Sequence, residues 1–168
     1  LLPAPPFLPA FGPWILAQHK GYYAAEGLNV TFQTAKGGVD VAKQVGVGNA
    51  VIGGGIGDTP ILVRPNGVPV KAVAVLGGGS LMLLAARSDK DINSPEDLKG
   101  KTVTTMSYQD TTFYALLGML AKVGLGRNDL DIQAAGPANT WKLLIAGEAD
   151  AMAAVPDWIG AVLGAGVN

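Results

Sequence analysis

The chain has 168 residues, of which 49% are hydrophobic and 15% are charged, and its formal net charge at pH 7 is −1. This apolar fraction excludes intrinsic disorder, and the near-neutral charge argues against a nucleic-acid partner, because phosphates are neutralised by a basic surface. The lack of cysteine excludes disulfides and Cys-ligated metals, and no apolar run approaches the roughly 20 residues of a membrane span. The 24 glycines, about twice the usual share, are the feature that needs an explanation.

The glycines of the first half follow short apolar runs. Such runs, rich in β-branched residues and closed by glycine, are typical of buried parallel strands. The sequence predicts strands at residues 29–34, 50–52 and 70–76, before Gly37-Gly38, Gly53–Gly55 and Gly77–Gly79. The stretches between these runs predict helices at residues 13–26, 40–45 and 59–64.

The second half repeats this order of strands and helices. Ser94-Pro95 is typical of a helix start, with serine at the N-cap and proline in the first turn. The further predictions are strands at 102–106, 131–135 and 149–155, and helices from 113 to Gly124, at 139–146 and at 156–163. The alternation indicates an α/β fold with mostly parallel sheets. We expect two lobes, residues 1–87 and 88–168, with a crossover hinge near residues 84–91.

Ligands of open parallel sheets bind beyond the carboxyl ends of the strands, where helices begin and glycine allows close approach. The candidates in the first lobe are Phe11, Gly12, Trp14, Gly37, Gly38, Gly57, Asp58, Thr59, Gly79 and Ser80. Those in the second lobe are Tyr108, Gln109, Asp110, Thr111, Asn139, Asp157 and Trp158.

Several of these candidates have a second interpretation. Trp14 and Trp158 are either core residues or rings that stack on a ligand. Asp58 and Asp110 precede predicted helices and suit an N-cap as well as a ligand contact. Asp157 lies in a predicted first turn, where a carboxylate also favours the helix dipole.

The charges in these loops bear on the ligand. Asp58, Asp110 and Asp157 lie in candidate loops that contain no Lys or Arg. This pattern disfavours an anion and favours a cationic, amine-bearing or heteroaromatic molecule, such as a pyrimidine precursor of thiamine. Helix N-termini and hydroxyl groups are also able to hold an anion, so a nitrate- or sulfonate-type ligand stays open.

The sequence predicts no catalytic residue, metal site or cofactor. Neither glycine cluster fits a nucleotide-binding motif, and the usual arrangements that activate a nucleophile are missing. His19, the single histidine, has Lys20 beside it and is expected on the surface.

Six segments together resemble one known family. They are Pro9–Trp14, Gly21–Val30, Gly37-Gly38, Gly67–Val73, Ser94–Lys101 and Gly147–Ala151. Their order and spacing are similar to those of ABC-importer substrate-binding proteins of the nitrate, sulfonate, taurine and thiamine-precursor group (NMT1/THI5-like, SsuA-like).

The resemblance implies a two-lobed periplasmic-binding-protein-like (type II) architecture whose lobes close on a small ligand in the cleft between them. It implies delivery of that ligand to the transmembrane subunits of an ABC permease, and a periplasmic or cell-surface-anchored location. Family members are roughly twice as long, so we expect the chain to lack the C-terminal return segment, and we expect no signal peptide in it. The alternatives on the same fold are a THI5-like enzyme of pyrimidine synthesis and a ligand-sensing domain.

Overall fold

A computed structural model describes residue 2, residues 11–55 and residues 57–167. The first two residues of the Pro9–Trp14 motif therefore lie outside the described residues, as does Ile56 in the glycine-rich segment. The chain forms two compact units that divide between Gly77 and Gly78.

The first unit is helical in the described residues. The helix predicted across residues 13–26 is divided in two, because Gly21 adopts a positive φ of 75° that ends one helix and begins the next. The four helices are α1 (Gly12–His19), α2 (Tyr22–Ala25), α3 (Gly38–Gly46) and α4 (Thr59–Val63), the last followed by a 3₁₀ turn at Arg64–Asn66.

The strands predicted in this unit do not form among the described residues. Of residues 29–34, Thr34 alone forms an isolated parallel bridge, with Leu2, and the segments 50–52 and 70–76 pair with no described backbone. Side chains in both unpaired segments are largely exposed, as shown by Val51 at 94% and Val75 at 79%. A β-prone sequence needs a partner strand to form a ladder, and no described residue provides one here.

The second unit contains a four-stranded sheet in the order β1-β4-β2-β3. Strand β2 is parallel to β3 and β4, whereas β1 is antiparallel to β4. The three predicted strands of this unit are confirmed, with slightly shorter bounds. The four strands are β1 (Leu83–Ala86), β2 (Thr102–Thr105), β3 (Asp131–Ala134) and β4 (Ala151–Ala154).

Helices cover both faces of this sheet. The predicted helices are confirmed as α5 (Thr111–Lys122), α6 (Asn139–Ala146) and α7 (Pro156–Gly164). Alternate residues of β4 face opposite sides: Ala151 and Ala153 share a core with α5, while Met152 and Ala154 share one with α6 and α7. Within the described part of the chain, no helix is both long and apolar enough to cross a membrane.

Lys90, which follows β1, forms an ion pair within the second unit. Lys90 Nζ lies 3.0 Å from Asp150 Oδ1, while Asp150 Oδ2 accepts a hydrogen bond from the Thr102 backbone N–H at 2.9 Å. The expected first lobe ran to residue 87, whereas β1 pairs with β4 in the unit that begins at Gly78. The lobe limits at 87 and 88 and the hinge near 84–91 stay predictions.

Candidate functional site

The carboxyl ends of three parallel strands form one edge of the sheet. The chain passes from β2 to α5 on one face, and from β3 and β4 to α6 and α7 on the other. The end of β2 is therefore a topological switch point, the position at which open α/β sheets bind ligands. This edge is the candidate site of the second unit.

Asp110 caps α5 at this edge. Its Oδ1 accepts hydrogen bonds from the Thr112 N–H at 3.0 Å and from the Thr112 hydroxyl at 2.7 Å. The Thr112 hydroxyl also lies 3.0 Å from that of Thr105, and both threonines are buried. Because a carboxylate accepts and does not donate, Thr112 donates to Asp110 and Thr105 donates to Thr112. The N-cap interpretation of Asp110 is confirmed, and its ligand contact stays a prediction.

Tyr108 connects the loop before α5 to β3, the outermost strand on that side of the sheet. Its hydroxyl donates to the Ile132 carbonyl at 2.9 Å, and its ring meets that of Phe113 edge-on at 5.3 Å. The Arg127 guanidinium lies 4.6 Å from the Tyr108 ring centroid. Arg127 is not among the predicted candidates, because it is distant from Tyr108 along the chain. The following residue, Gln109, is exposed, and Thr111 begins α5.

The loops after β3 and β4 carry the other predicted residues at this edge of the sheet. Asn139 is exposed at the start of α6, and Asp157 is half-buried in the first turn of α7. The side chains of Gln109, Asn139 and Asp157 form no hydrogen bond with the described residues, and their contact with a ligand stays a prediction. Trp158 is 9% exposed and packs in the core with Leu144, which is the core interpretation.

Two buried threonines join β2 to α6. The Thr104 hydroxyl donates to the Thr140 carbonyl at 2.9 Å, and the Thr140 hydroxyl donates to the Gly136 carbonyl at 2.7 Å. These residues were not among the predicted candidates, because a single threonine in a strand or helix carries no distinguishing pattern. Among the described residues, no group of three His, Asp or Glu side chains is arranged to hold a metal ion.

The predicted residues near α1 belong to the first unit, and those before β1 lie at the start of the second unit. Phe11 is 7% exposed, and its ring centroid lies 6.3 Å from that of Trp14, which is half-buried. Gly12 begins α1, and His19 at its end is exposed, as expected. Gly79 and Ser80 are exposed, and the Ser80 hydroxyl accepts from the Met82 N–H at 3.2 Å.

The remaining candidates of the first unit meet around Thr59. Gly37 has a φ of 93° at the N-cap of α3. A Cβ placed on Gly38 would lie 2.7 Å from the Thr59 Oγ1, so the two residues are in close contact. Thr59 is 4% exposed, Asp58 is half-buried and Gly57 is exposed. The structure thus brings together residues that the sequence placed in two different loops.

The family model described as NMT1/THI5 like matches residues 8–164. The chain belongs to the NMT1/THI5-like family. A similar protein is the riboflavin-binding protein RibY of Chloroflexus aurantiacus, 33% identical over 136 residues, which are 77% of this chain and 38% of that protein.

Two solved structures share this family member's fold. The alkanesulfonate-binding protein SsuA of Xanthomonas axonopodis pv. citri, bound to MOPS, matches 92% of this chain and 55% of its own, with 24% identity and a TM-score of 0.78. The periplasmic aliphatic sulphonate binding protein SsuA of Escherichia coli matches 89% and 52%, with 18% identity and a TM-score of 0.69. The chain therefore spans about half the length of these proteins and less of RibY.

Proposed function

We propose that this chain is part of a solute-binding receptor of an ABC importer, located in the periplasm or at the cell surface. The receptor captures a small heteroaromatic molecule and delivers it to a permease. The proposal rests on the edge of the sheet where the three parallel strands end and the helices α5, α6 and α7 begin. The named relatives of this chain are binding proteins.

The chemistry of this edge favours an uncharged or cationic ligand. Asp110 places a carboxylate at the N-cap of α5, and Asp157 places one in the first turn of α7. The loops at residues 105–112, 135–141 and 155–158 contain no Lys or Arg. The Arg127 guanidinium is stacked on the Tyr108 and Phe113 rings. The loops themselves offer an anion no guanidinium or ammonium group to offset the two carboxylates. Gln109, Asn139 and Asp157 instead offer the donors and acceptors that recognise the ring nitrogens and carbonyl oxygens of a heteroaromatic molecule.

The relatives bear on the choice between ligand classes. RibY, at 33% identity, is named for binding riboflavin, which is heteroaromatic, whereas the SsuA structures at 24% and 18% identity support the fold alone. We therefore place a flavin- or pyrimidine-like ligand ahead of a sulfonate. Catalysis is not part of the proposal, since the sequence has one histidine, which is exposed, and no cysteine.

Isothermal titration of the full chain with riboflavin, an aminopyrimidine and MOPS tests the proposal. We expect micromolar or tighter binding of one of the two heteroaromatic compounds and no heat with MOPS. Asp157→Asn should weaken this binding by about tenfold, because a hydrogen bond to a charged acceptor contributes about 1.5 kcal/mol or more. Asp131→Asn, at the opposite end of β3, is the matched control and should leave the affinity unchanged.

Binding of MOPS in preference to both heteroaromatic compounds would overturn the ligand class. Absence of heat with all three compounds would count against the receptor itself. Equal losses of affinity in Asp157→Asn and Asp131→Asn would show that the charge of the protein, not the edge of the sheet, governs binding.

A further inference from the structure

The loop that follows β2 at the candidate edge consists of residues 106–110 and leads directly into α5. Two of its hydrogen bonds are local. The Gln109 N–H donates to the Ser107 hydroxyl at 3.3 Å, and the Asp110 N–H donates to the Ser107 carbonyl at 3.2 Å. Bonds of this kind shape a turn but do not fix its position on a sheet. That position depends on contacts with other elements.

Tyr108 provides such a contact with β3. Its hydroxyl donates to the Ile132 carbonyl at 2.9 Å, across 24 residues of sequence. The N–H groups of Asp131 and Ala135 donate to carbonyls at either end of β2. Because successive residues of a strand bond to opposite sides, the Ile132 carbonyl points to the outer edge of the sheet. The Tyr108 side chain therefore joins the loop to the outer edge of β3.

Arg127 covers the ring of Tyr108. Its guanidinium carbon lies 4.6 Å from the Tyr108 ring centroid and 5.3 Å from that of Phe113. Tyr108 is 41% exposed, whereas Phe113 is 3% exposed, so burial fixes the second ring and not the first. A cation within about 6 Å of a ring centroid attracts the face of the ring. Arg127 thus holds the exposed ring beside the buried one.

A short 3₁₀ turn, Arg127–Asp129, places the arginine. The Asp129 carboxylate accepts from the Gly126 N–H at 2.8 Å, and the Asp129 carbonyl accepts from the Gly100 N–H at 2.7 Å. Among the residues that the structure describes, no carboxylate lies within ion-pair distance of the exposed Arg127 side chain. No opposite charge there draws the guanidinium away from the two rings.

We infer that Arg127 is a positioning residue for ligand binding: through the Tyr108 ring, it holds the loop at residues 106–110 in one position at the end of β2. A loop that is already ordered loses less conformational freedom when a ligand binds, so the affinity is higher. The inference rests on the proposed function and adds to it a residue that acts on the ligand through another side chain.

The test measures riboflavin binding to the full chain by isothermal titration, for wild type, Arg127→Gln, Tyr108→Leu and the double variant. Glutamine removes the charge and keeps a polar side chain, so Arg127→Gln should bind about threefold more weakly than wild type. In the Tyr108→Leu background the same change should cause no further loss, because Arg127 acts through the tyrosine ring.

Hydrogen exchange of the free chain, followed by NMR, gives the same comparison without a ligand. The amides of Gln109 and Asp110 should exchange about threefold faster in Arg127→Gln than in wild type, and no faster in the double variant than in Tyr108→Leu. Arg64→Gln is the matched control, since it makes the same chemical change at an exposed position at the end of α4. It should alter neither the affinity nor the exchange rates.

Unchanged affinity or unchanged exchange in Arg127→Gln would overturn the inference. A comparable loss in Arg64→Gln, or an equal further loss in the Tyr108→Leu background, would also overturn it, because either result would show an effect that does not pass through Tyr108. If wild type binds neither riboflavin nor an aminopyrimidine, the proposed function fails separately. The exchange rates then decide: faster exchange of Gln109 and Asp110 in Arg127→Gln supports the positioning role, and an unchanged rate contradicts it.

Discussion

Replacing Asp110 by alanine removes both hydrogen bonds that fix the start of α5. The lost bonds are those from the Thr112 N–H at 3.0 Å and the Thr112 hydroxyl at 2.7 Å. Loss of an N-cap costs about 1 kcal/mol, and loss of a hydrogen bond to a charged acceptor costs about 1.5 kcal/mol or more. The expected destabilisation is about 2–3 kcal/mol, since the Thr112 hydroxyl keeps Thr105 as a neighbour.

The conservative replacement separates the hydrogen bonds from the charge. Asparagine keeps an oxygen at the same position and is an equally good N-cap, so Asp110→Asn should cost less than about 1 kcal/mol. For a protein of this size, each kcal/mol shifts the Tm by about 2–4 °C, so Asp110→Ala should lower it by about 5–10 °C.

The assay is urea unfolding followed by tryptophan fluorescence in a Trp14→Phe background. This background leaves Trp141 and Trp158, which both lie in the second unit with α5. A change of less than about 0.5 kcal/mol for Asp110→Ala would refute the capping role. Equal losses for Asp110→Ala and Asp110→Asn would show that the negative charge, rather than the acceptor geometry, stabilises the helix.

Two predictions concern the rest of the second unit. Trp158→Ala should lower the free energy of unfolding by about 3–5 kcal/mol, because it opens a cavity beside Leu144 and Met152; a loss under 1 kcal/mol, measured by urea unfolding, would contradict the core role. The Thr102 N–H bond lowers the pKa of Asp150, opposed by partial burial and supported by Lys90. Its stabilisation is therefore full above the ordinary carboxyl range near pH 4 and is lost as the pH falls through the lowered value. The stability advantage of wild type over Asp150→Ala should shrink between pH 5 and pH 2, and a constant difference would contradict this assignment.

The second unit was predictable because its local patterns and its packing agree. The helix predicted at 139–146 is observed with those bounds, and Gly124, with a φ of 75°, follows α5 as a stop. Periodic apolar residues such as Leu116 and Leu120 do face the sheet. Local sequence is sufficient where each element buries the face that its pattern marks.

The site was only partly predictable. The sequence placed Asp110 and Asp157 correctly at helix starts, because N-terminal residue preferences are local. It did not find Arg127 beside Tyr108, nor Thr104 bonded to Thr140, because these contacts join residues that are distant along the chain. It listed Gly38 and Thr59 as candidates but gave no reason for them to touch.

The composition and the order of motifs determined the α/β class, the family and the helix-start residues, because each depends on local preference or on spacing along the chain. The pairing of strands in the tertiary structure decided which apolar runs form the sheet. The apolar run at 70–76 is as β-prone as any strand in the chain, yet it finds no partner among the described residues, while Leu83–Ala86 pairs with β4. A strand exists only when another backbone satisfies its hydrogen bonds, and which backbone does so is a property of the tertiary structure.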